Sequence, residues 1–189
     1  MNVGILALQG DVIEHIKMIK RLDANPVEVR IPEDLQSADA LIMPGGESTA
    51  IGKLMQRVGL DTAIIRRANE GMPIYGTCAG MILLAKKIEN SDQPSLGLID
   101  ITVKRNAYGR QIDSFETELK TTISKEPFKV DFIRAPIITE VGKGVEILAE
   151  HEGIPVLAQQ NNILVSSFHP EIGSTDEIHR YFLTRVKKA

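Results

Sequence analysis

At 189 residues the chain suits one domain, and 43% hydrophobic residues are ample for a sizeable buried core. A formal net charge of -3, with Lys and Arg scattered, argues against a nucleic-acid footprint or a membrane-surface patch. A single cysteine excludes an intramolecular disulfide and fits a reducing compartment.

The opening residues MNVGILALQGD lack a basic leader, and Asp11 and Glu14 follow at once. No apolar run approaches the ~20 residues that span a bilayer. We therefore expect no signal peptide and no membrane span, and a soluble, cytoplasmic protein.

Val3 to Leu8 is a short apolar run closed by Gly10, which predicts a strand buried on both faces. Asp11 is placed to cap the next helix, on which Ile13, Ile16, Ile19 and Leu22 form an apolar stripe. Strands are predicted at Pro26 to Ile31 and at Ala40 to Met43, the latter ended by Pro44-Gly45-Gly46. A helix with Ile51, Leu54, Met55 and Val58 follows Ser48. Met72 to Tyr75 predicts a fourth strand, and Met81 to Lys87 a helix. This alternation argues a parallel sheet with helices on both faces. The second half is strand-rich: Leu98 to Lys104, Ser114 to Lys120, Lys129 to Ile133, Val145 to Glu150, Ile154 to Gln159 and Ile163 to Phe168. These are expected to add antiparallel strands to the same sheet. A helix from about Thr175 to Val186 closes the chain, with the basic residues between Arg180 and Lys188 complementing its dipole. Without repeat or linker, residues 1–189 read as a single domain.

Three segments carry chemistry. Gly76-Thr77-Cys78-Ala79-Gly80 lies between a predicted strand and a predicted helix. A nucleophile on such a turn is pushed out of the sheet's carboxyl edge, and flanking glycines suit a strained turn and close approach of neighbouring chain. A lone cysteine is commonly an inert apolar residue; the elbow pattern turns that reading toward a nucleophile without naming a substrate. The Ala79 N–H faces an oxyanion forming beside the sulfur. A cysteine acting on an amide also needs a base and a group to orient it. Of four histidines, His15, His151 and His179 read as solvated surface residues. His169 instead follows an apolar strand, at the sheet edge where open α/β proteins bind ligands. In extended backbone residues i and i+2 point the same way, so Glu171 can reach the His169 ring, with Pro170 stiffening the pair. Finally, Pro44-Gly45-Gly46-Glu47-Ser48-Thr49 follows a strand and opens a helix. It is either an ordinary turn with Ser48 as N-cap, or a loop whose N–H groups face a bound anion or carbonyl. The absence of Gly-Lys-Ser/Thr speaks against a phosphate loop.

Together these segments resemble the class I, triad-type glutamine amidotransferases, and more closely the family of glutaminase subunits of pyridoxal 5′-phosphate synthase. The resemblance covers essentially the whole chain. It rests on Leu8-Gln9-Gly10, Gly45 to Thr49, Tyr75 to Gly80, Arg105 to Gln111, Ser114 to Glu116, Phe132 to Pro136 and Ser167 to Glu171. It implies a flavodoxin-like, three-layer α/β fold: a mostly parallel central sheet, helices on both faces and added antiparallel strands. It implies Cys78 as nucleophile, His169 as general base and acid, and Glu171 as its orienting partner. Glutamine contacts are implied for Gly46, Glu47, Ser48, Arg105, Ile133 and Arg134, and oxyanion contacts for Gly46 and Ala79. Either Arg105 or Arg134 suits the substrate carboxylate. The resemblance implies no metal or cofactor. It implies L-glutamine as substrate and, as hetero-oligomeric partner, the synthase subunit, which receives the ammonia and on which activity depends through ordering of Pro44 to Ser48. Two other readings stay open: a different cysteine-elbow hydrolase acting on γ-glutamyl peptides, and a regulatory subunit with a vestigial triad.

Overall fold

A computed structural model describes residues 1–105, 114–173 and 175–187. In chain order the elements are β1 (Asn2–Leu6), α1 (Val12–Arg21), β2 (Asn25–Val29), a 3-10 turn (Asp34–Ser37), β3 (Ala40–Met43), α2 (Ser48–Val58), α3 (Leu60–Asn69), β4 (Ile74–Thr77), α4 (Ala79–Leu84), β5 (Ala85–Ile88), β6 (Ile99–Lys104), β7 (Ser114–Leu119), β8 (Phe128–Ile133), β9 (Ile137–Val141), β10 (Glu146–His151), β11 (Ile154–Gln160), β12 (Ile163–Ser166) and α5 (Glu177–Val186).

The main sheet has seven strands in the order β10-β11-β12-β4-β3-β1-β2. Strands β2, β1, β3, β4 and β12 are parallel, while β11 runs antiparallel to both β12 and β10. The 2-1-3-4 order, with β12 as fifth strand, is the flavodoxin-like doubly wound pattern, whose ligands lie beyond the carboxyl ends of the strands. The register aligns those ends: Met43 pairs with Gly76, and Thr77 with Ser166.

Alternating side chains sort the core into two layers. Leu6, Leu41 and Met43 face α2, α3 and α4, packing with Ile51, Met55, Ile64 and Leu83. Val3, Ile5, Ile42 and Tyr75 face the other way, onto Ile19 of α1 and Ile178 and Phe182 of α5. Each such side chain contributes about 1.5–3 kcal/mol when fully buried.

Several expectations change. Of the six second-half strands expected, three join the central sheet: β10 and β11 antiparallel, and β12 parallel to β4; β5-β6-β9 form a separate three-stranded sheet and β7-β8 a two-stranded one. Helix α4 stops at Leu84 and the chain continues as β5, so the predicted helix to Lys87 is half strand. The inward face of α1 carries His15, Met18 and Ile19, and Ile13 is 61% exposed. A three-residue repeat drifts around a 3.6-residue helix, and the face that packs is 15, 18, 19 and 22. A histidine at its first position hid that face from the apolar pattern. The N-cap of α2 is Glu47, whose carboxylate accepts from the Thr49 and Ala50 N–H groups; Ser48 is the first helical residue and is buried. Among the described residues no helix is long and apolar enough to cross a membrane.

Candidate active site

Cys78 follows β4 directly, at φ 47° and ψ -100°. A non-glycine residue held in that region costs about 1–3 kcal/mol, so the surroundings must over-determine it. They do so by hydrogen bonding and by packing. The Cys78 N–H donates to the Ser166 carbonyl at 2.8 Å, and the Cys78 carbonyl accepts from the Ile82 N–H at 3.2 Å. A Cβ on Gly80 would sit 2.0 Å from the Met43 carbonyl oxygen, and one on Gly76 would sit 2.6 Å from the Gly80 carbonyl carbon. Glycine at both positions lets β3, β4 and α4 meet closely enough to hold the strained turn. Cys78 is 8% exposed, and its thiol faces the Ile133 carbonyl at 3.9 Å.

His169 and Glu171 extend beyond β12. The His169 N–H donates to the Asp131 carbonyl at 2.8 Å, tying this segment to β8. His169 Nδ1 lies 2.9 Å from Glu171 Oε1. Both side chains are nearly excluded from solvent. The same Nδ1 lies 3.3 Å from Asp11 Oδ2. Burial disfavours the His169 cation, but hydrogen bonding to Asp11, Cys78 and Glu171 outweighs it and pushes its pKa up to about 12. For Glu171 burial is the largest influence and raises the carboxyl pKa against the His169 contact. A Cβ on Gly45 would lie 2.3 Å from His169 Cε1, so the first loop glycine makes room for the imidazole.

The loop after β3 is fastened to the loop after β1. The Asp11 N–H donates to the Gly45 carbonyl at 3.1 Å, and the Glu47 N–H donates to Gln9 Oε1 at 2.8 Å. Gly46 has φ 151°, and a Cβ there would lie 2.6 Å from Gln9 Oε1. Arg105 lies over this loop, 3.4 Å from Glu47 Oε1, and donates to Gln93 Oε1 at 2.9 Å and to Thr49 Oγ1 at 3.2 Å. Gln93 Oε1 also accepts from Ser48 Oγ at 3.2 Å. Arg134 is exposed and takes φ 44°, which turns the chain sharply after Ile133.

The fold therefore brings Cys78, Ala79, His169, Glu171, Gly46 and Ile133 to one edge of the sheet. It gathers Glu47, Ser48 and Arg105 into an adjacent polar cluster. The segment from 106 to 111, part of the expected motif, lies outside the described residues. Four participants escaped the sequence reading: Asp11 was assigned only as a helix cap, which its side chain does not make; Gln93, Asp131 and His15 carried no pattern of their own. Gln9 was read only as part of the Leu8-Gln9-Gly10 motif, without a role. His15 and His179, expected at the surface, are fully buried, and His151 is half-buried beside Phe115 and Phe132. Asp11, His169 and Glu171 place donor atoms within 4.8 Å of one another, the one metal-compatible group of His, Cys, Asp and Glu among the described residues. Its distances to the shared Nδ1 are those of hydrogen bonds.

This architecture is that of the class I glutamine amidotransferases. A crystal structure titled glutamine amidotransferase superimposes with a TM-score of 0.94 at 47% identity, covering 98% of each chain. The structure of PurLQS from Thermotoga maritima shares the fold at a TM-score of 0.69 and 15% identity, covering 97% of each chain. Two full-length relatives are named pyridoxal 5′-phosphate synthase subunit PdxT. The one from Desulforudis audaxviator is 53% identical over 187 residues, covering 98% of this chain and 99% of its own. The one from Thermotoga neapolitana is 49% identical over 188 residues, covering 99% and 100%. The family model described as SNO glutamine amidotransferase matches residues 5–188, and the chain belongs to that family.

Proposed function

We propose that this chain hydrolyses L-glutamine to L-glutamate and ammonia with Cys78 as nucleophile, His169 as base and acid and Glu171 as the group that orients it. The observation that carries the reading is a cysteine held at φ 47° beside a buried His169–Glu171 pair at 2.9 Å, in a chain of this family.

With its proton already passed to His169, the Cys78 sulfur attacks the amide carbon of the substrate side chain. The oxyanion forms against the N–H groups of Gly46 and Ala79. The Glu47 N–H is a poorer candidate, because Gln9 already accepts from it. His169 then protonates the leaving ammonia, and its neutral ring next activates the water that hydrolyses the γ-glutamyl thioester. A raised His169 pKa suits the first half of this cycle, since the ring must hold the thiol's proton until the amine departs. Losing one oxyanion donor typically costs ~10²–10³ in rate. Gly46, Glu47, Ser48, Ile133 and Arg134 line the substrate's place, with Arg105 or Arg134 opposite its carboxylate.

Residues 1–189 serve as one glutaminase domain. Ammonia released into water is protonated and loses its nucleophilicity, so direct transfer to a partner is chemically sensible. Relatives named as subunits of pyridoxal 5′-phosphate synthase support the synthase subunit as that partner, in a hetero-oligomer serving vitamin B6 synthesis.

The test is glutamate release from L-glutamine by this chain, alone and with the synthase subunit. Strong stimulation by the partner is expected. Activity on γ-glutamyl peptides but not on free glutamine would overturn the substrate assignment.

A further inference from the structure

Behind Glu171 lies a second row of buried groups that the mechanism above does not use. His15, on α1, puts Nε2 3.5 Å from Glu171 Oε1 and 3.3 Å from Thr77 Oγ1. Its Nδ1 lies 3.1 Å from Nε2 of His179, on α5. Both rings are fully buried. A buried polar group without a partner is costly, and orphaned buried N–H groups are rarer than under-satisfied acceptors.

That asymmetry fixes the direction of the chain. His179 Nδ1 has no hydrogen-bond partner among the described residues. It is therefore the unprotonated nitrogen, and His179 Nε2 carries the proton and donates to His15 Nδ1. Neutral His15 then has its only proton on Nε2, pointing at Glu171 Oε1 and Thr77 Oγ1. Burial, the largest influence on both rings, pulls their pKa values down, to about 3 for His179 and well below the ordinary value for His15. Both rings are neutral at physiological pH, as the one-proton relay requires.

We propose that His15, oriented by His179, is a positioning residue that donates an N–H to Glu171 and so keeps that carboxylate ionised and aimed at His169. The inference rests on the triad reading given above. Glu171 needs such a donor. Burial favours its neutral form, and Asp11 brings a second carboxylate to the same His169 Nδ1, with its oxygen within 4.8 Å of that of Glu171. A protonated Glu171 would lose its charge and much of its hold on the His169 imidazolium that keeps the Cys78 proton. The groups facing Glu171 or its two supporting rings are His169, Asp11 and His15, Tyr75 from β4, and Arg21 and Asp176 beside His179. The network also ties α1 and α5 to the sheet edge through one line of donors.

Two measurements test it. The first is the tautomer of each ring in the full-length resting protein, by long-range 1H–15N NMR of the imidazoles at neutral pH. The expected result is a proton on Nε2 of both His15 and His179. A His15 proton on Nδ1, or a cationic His15, overturns the proposal whatever the protein's reaction. The second is glutaminase kinetics in the complex with the synthase subunit for His15→Leu and His15→Gln. A hydrogen bond to a charged group of this kind predicts that His15→Leu lowers kcat by about 10-fold or more with little change in KM. The acid limb of its pH profile should move to higher pH. His15→Gln, whose amide nitrogen reaches the place of Nε2, should recover kcat to within about three-fold of the parent. Parental kcat and pH profile in His15→Leu, or equal losses in both variants, overturn the proposal. If His15→Leu does not fold, the tautomer decides alone. Failure of the triad reading itself would show separately, as glutamate release by a Cys78→Ala protein with the tautomers unchanged.

Discussion

The two sides of the site are built by different means. Cys78, His169 and Glu171 are 8%, 4% and 6% exposed; Cys78 is set by its elbow, His169 by a β8 carbonyl and the space that Gly45 leaves for its ring, and Glu171 by its contact with His169. In the adjacent polar cluster, the Glu47 and Arg105 side chains are 53% and 32% exposed, and hydrogen bonds through Gln93 and Thr49 connect them. Ion pairs this open are worth only about 0–1 kcal/mol. The reacting side is thus over-determined by packing, while the side assigned to substrate is held by contacts that water can replace. A site of this kind keeps its nucleophile cocked and lets the substrate or a docked partner complete the rest.

The strongest way to break that comparison is to remove the sulfur while leaving the elbow. Cys78→Ala should abolish glutamate release and stay folded. Cys78→Gly should be equally inactive yet at least as stable as Cys78→Ala, because φ 47° is easy only for glycine. In ordinary helix or strand the order is reversed by about 0.5–1 kcal/mol. Thermal melts of the pair decide it: an alanine variant more stable by that margin means the elbow carries no strain.

Acid tests the buried side as a whole. The folded pKa of His179 is depressed to about 3 against an ordinary 6.5, and that of His15 falls in the same direction, both chiefly through burial. Below 6.5 the unfolded chain takes up protons that the folded chain refuses. Their contribution is therefore fully present above 6.5 and is lost as pH falls toward 3. Each unmatched proton gives a slope of up to about 1.4 kcal/mol per pH unit. His169, with its pKa raised, is protonated in both states below 6.5 and adds no slope there; its stabilisation is lost instead as pH rises toward 12. Glu171, also raised, offsets part of the acid loss by binding its proton earlier in the folded state. Tm should decline from pH 7 to 5, and His179→Phe should flatten that decline. A wild-type Tm that does not change over this range would show that the buried histidines are not held neutral.

The sequence made these two sides unequally legible. The elbow, His-Pro-Glu and the double glycine announce themselves because their residue types are tied to backbone geometry: a Cβ at Gly80 or Gly45 has nowhere to go. The central strands were readable as apolar runs for the same reason, since β3 is buried along its length. What stayed hidden depended on partners distant in the chain. His15 and His179 looked like surface polar residues because a neutral buried imidazole leaves no mark until its partner, 164 residues away, is placed beside it. Gln93 connects Ser48, Thr49 and Arg105 from a loop with no periodicity at all. The separate β5-β6-β9 sheet was invisible for a related reason: alternation marks a strand, not the sheet it joins.

The smallest effect lies on the open side and sharpens the contrast most. Arg105→Ala removes a guanidinium that contacts Glu47, Thr49 and Gln93. Because Glu47 and Arg105 are both accessible to water, Tm should move by no more than a degree or two. Glu47 keeps its capping bonds to the Thr49 and Ala50 N–H groups, so α2 stays capped. If Arg105 holds the glutamine carboxylate, KM should rise about 10-fold or more with kcat nearly unchanged, the signature of binding lost equally from ground and transition states. Arg134→Ala is the control, since Arg134 stands exposed just after β8, next to Ile133, whose carbonyl faces Cys78. A KM effect confined to Arg134→Ala would move the carboxylate to the side of Cys78 and Ile133, and the division between the two halves would then have to be redrawn there.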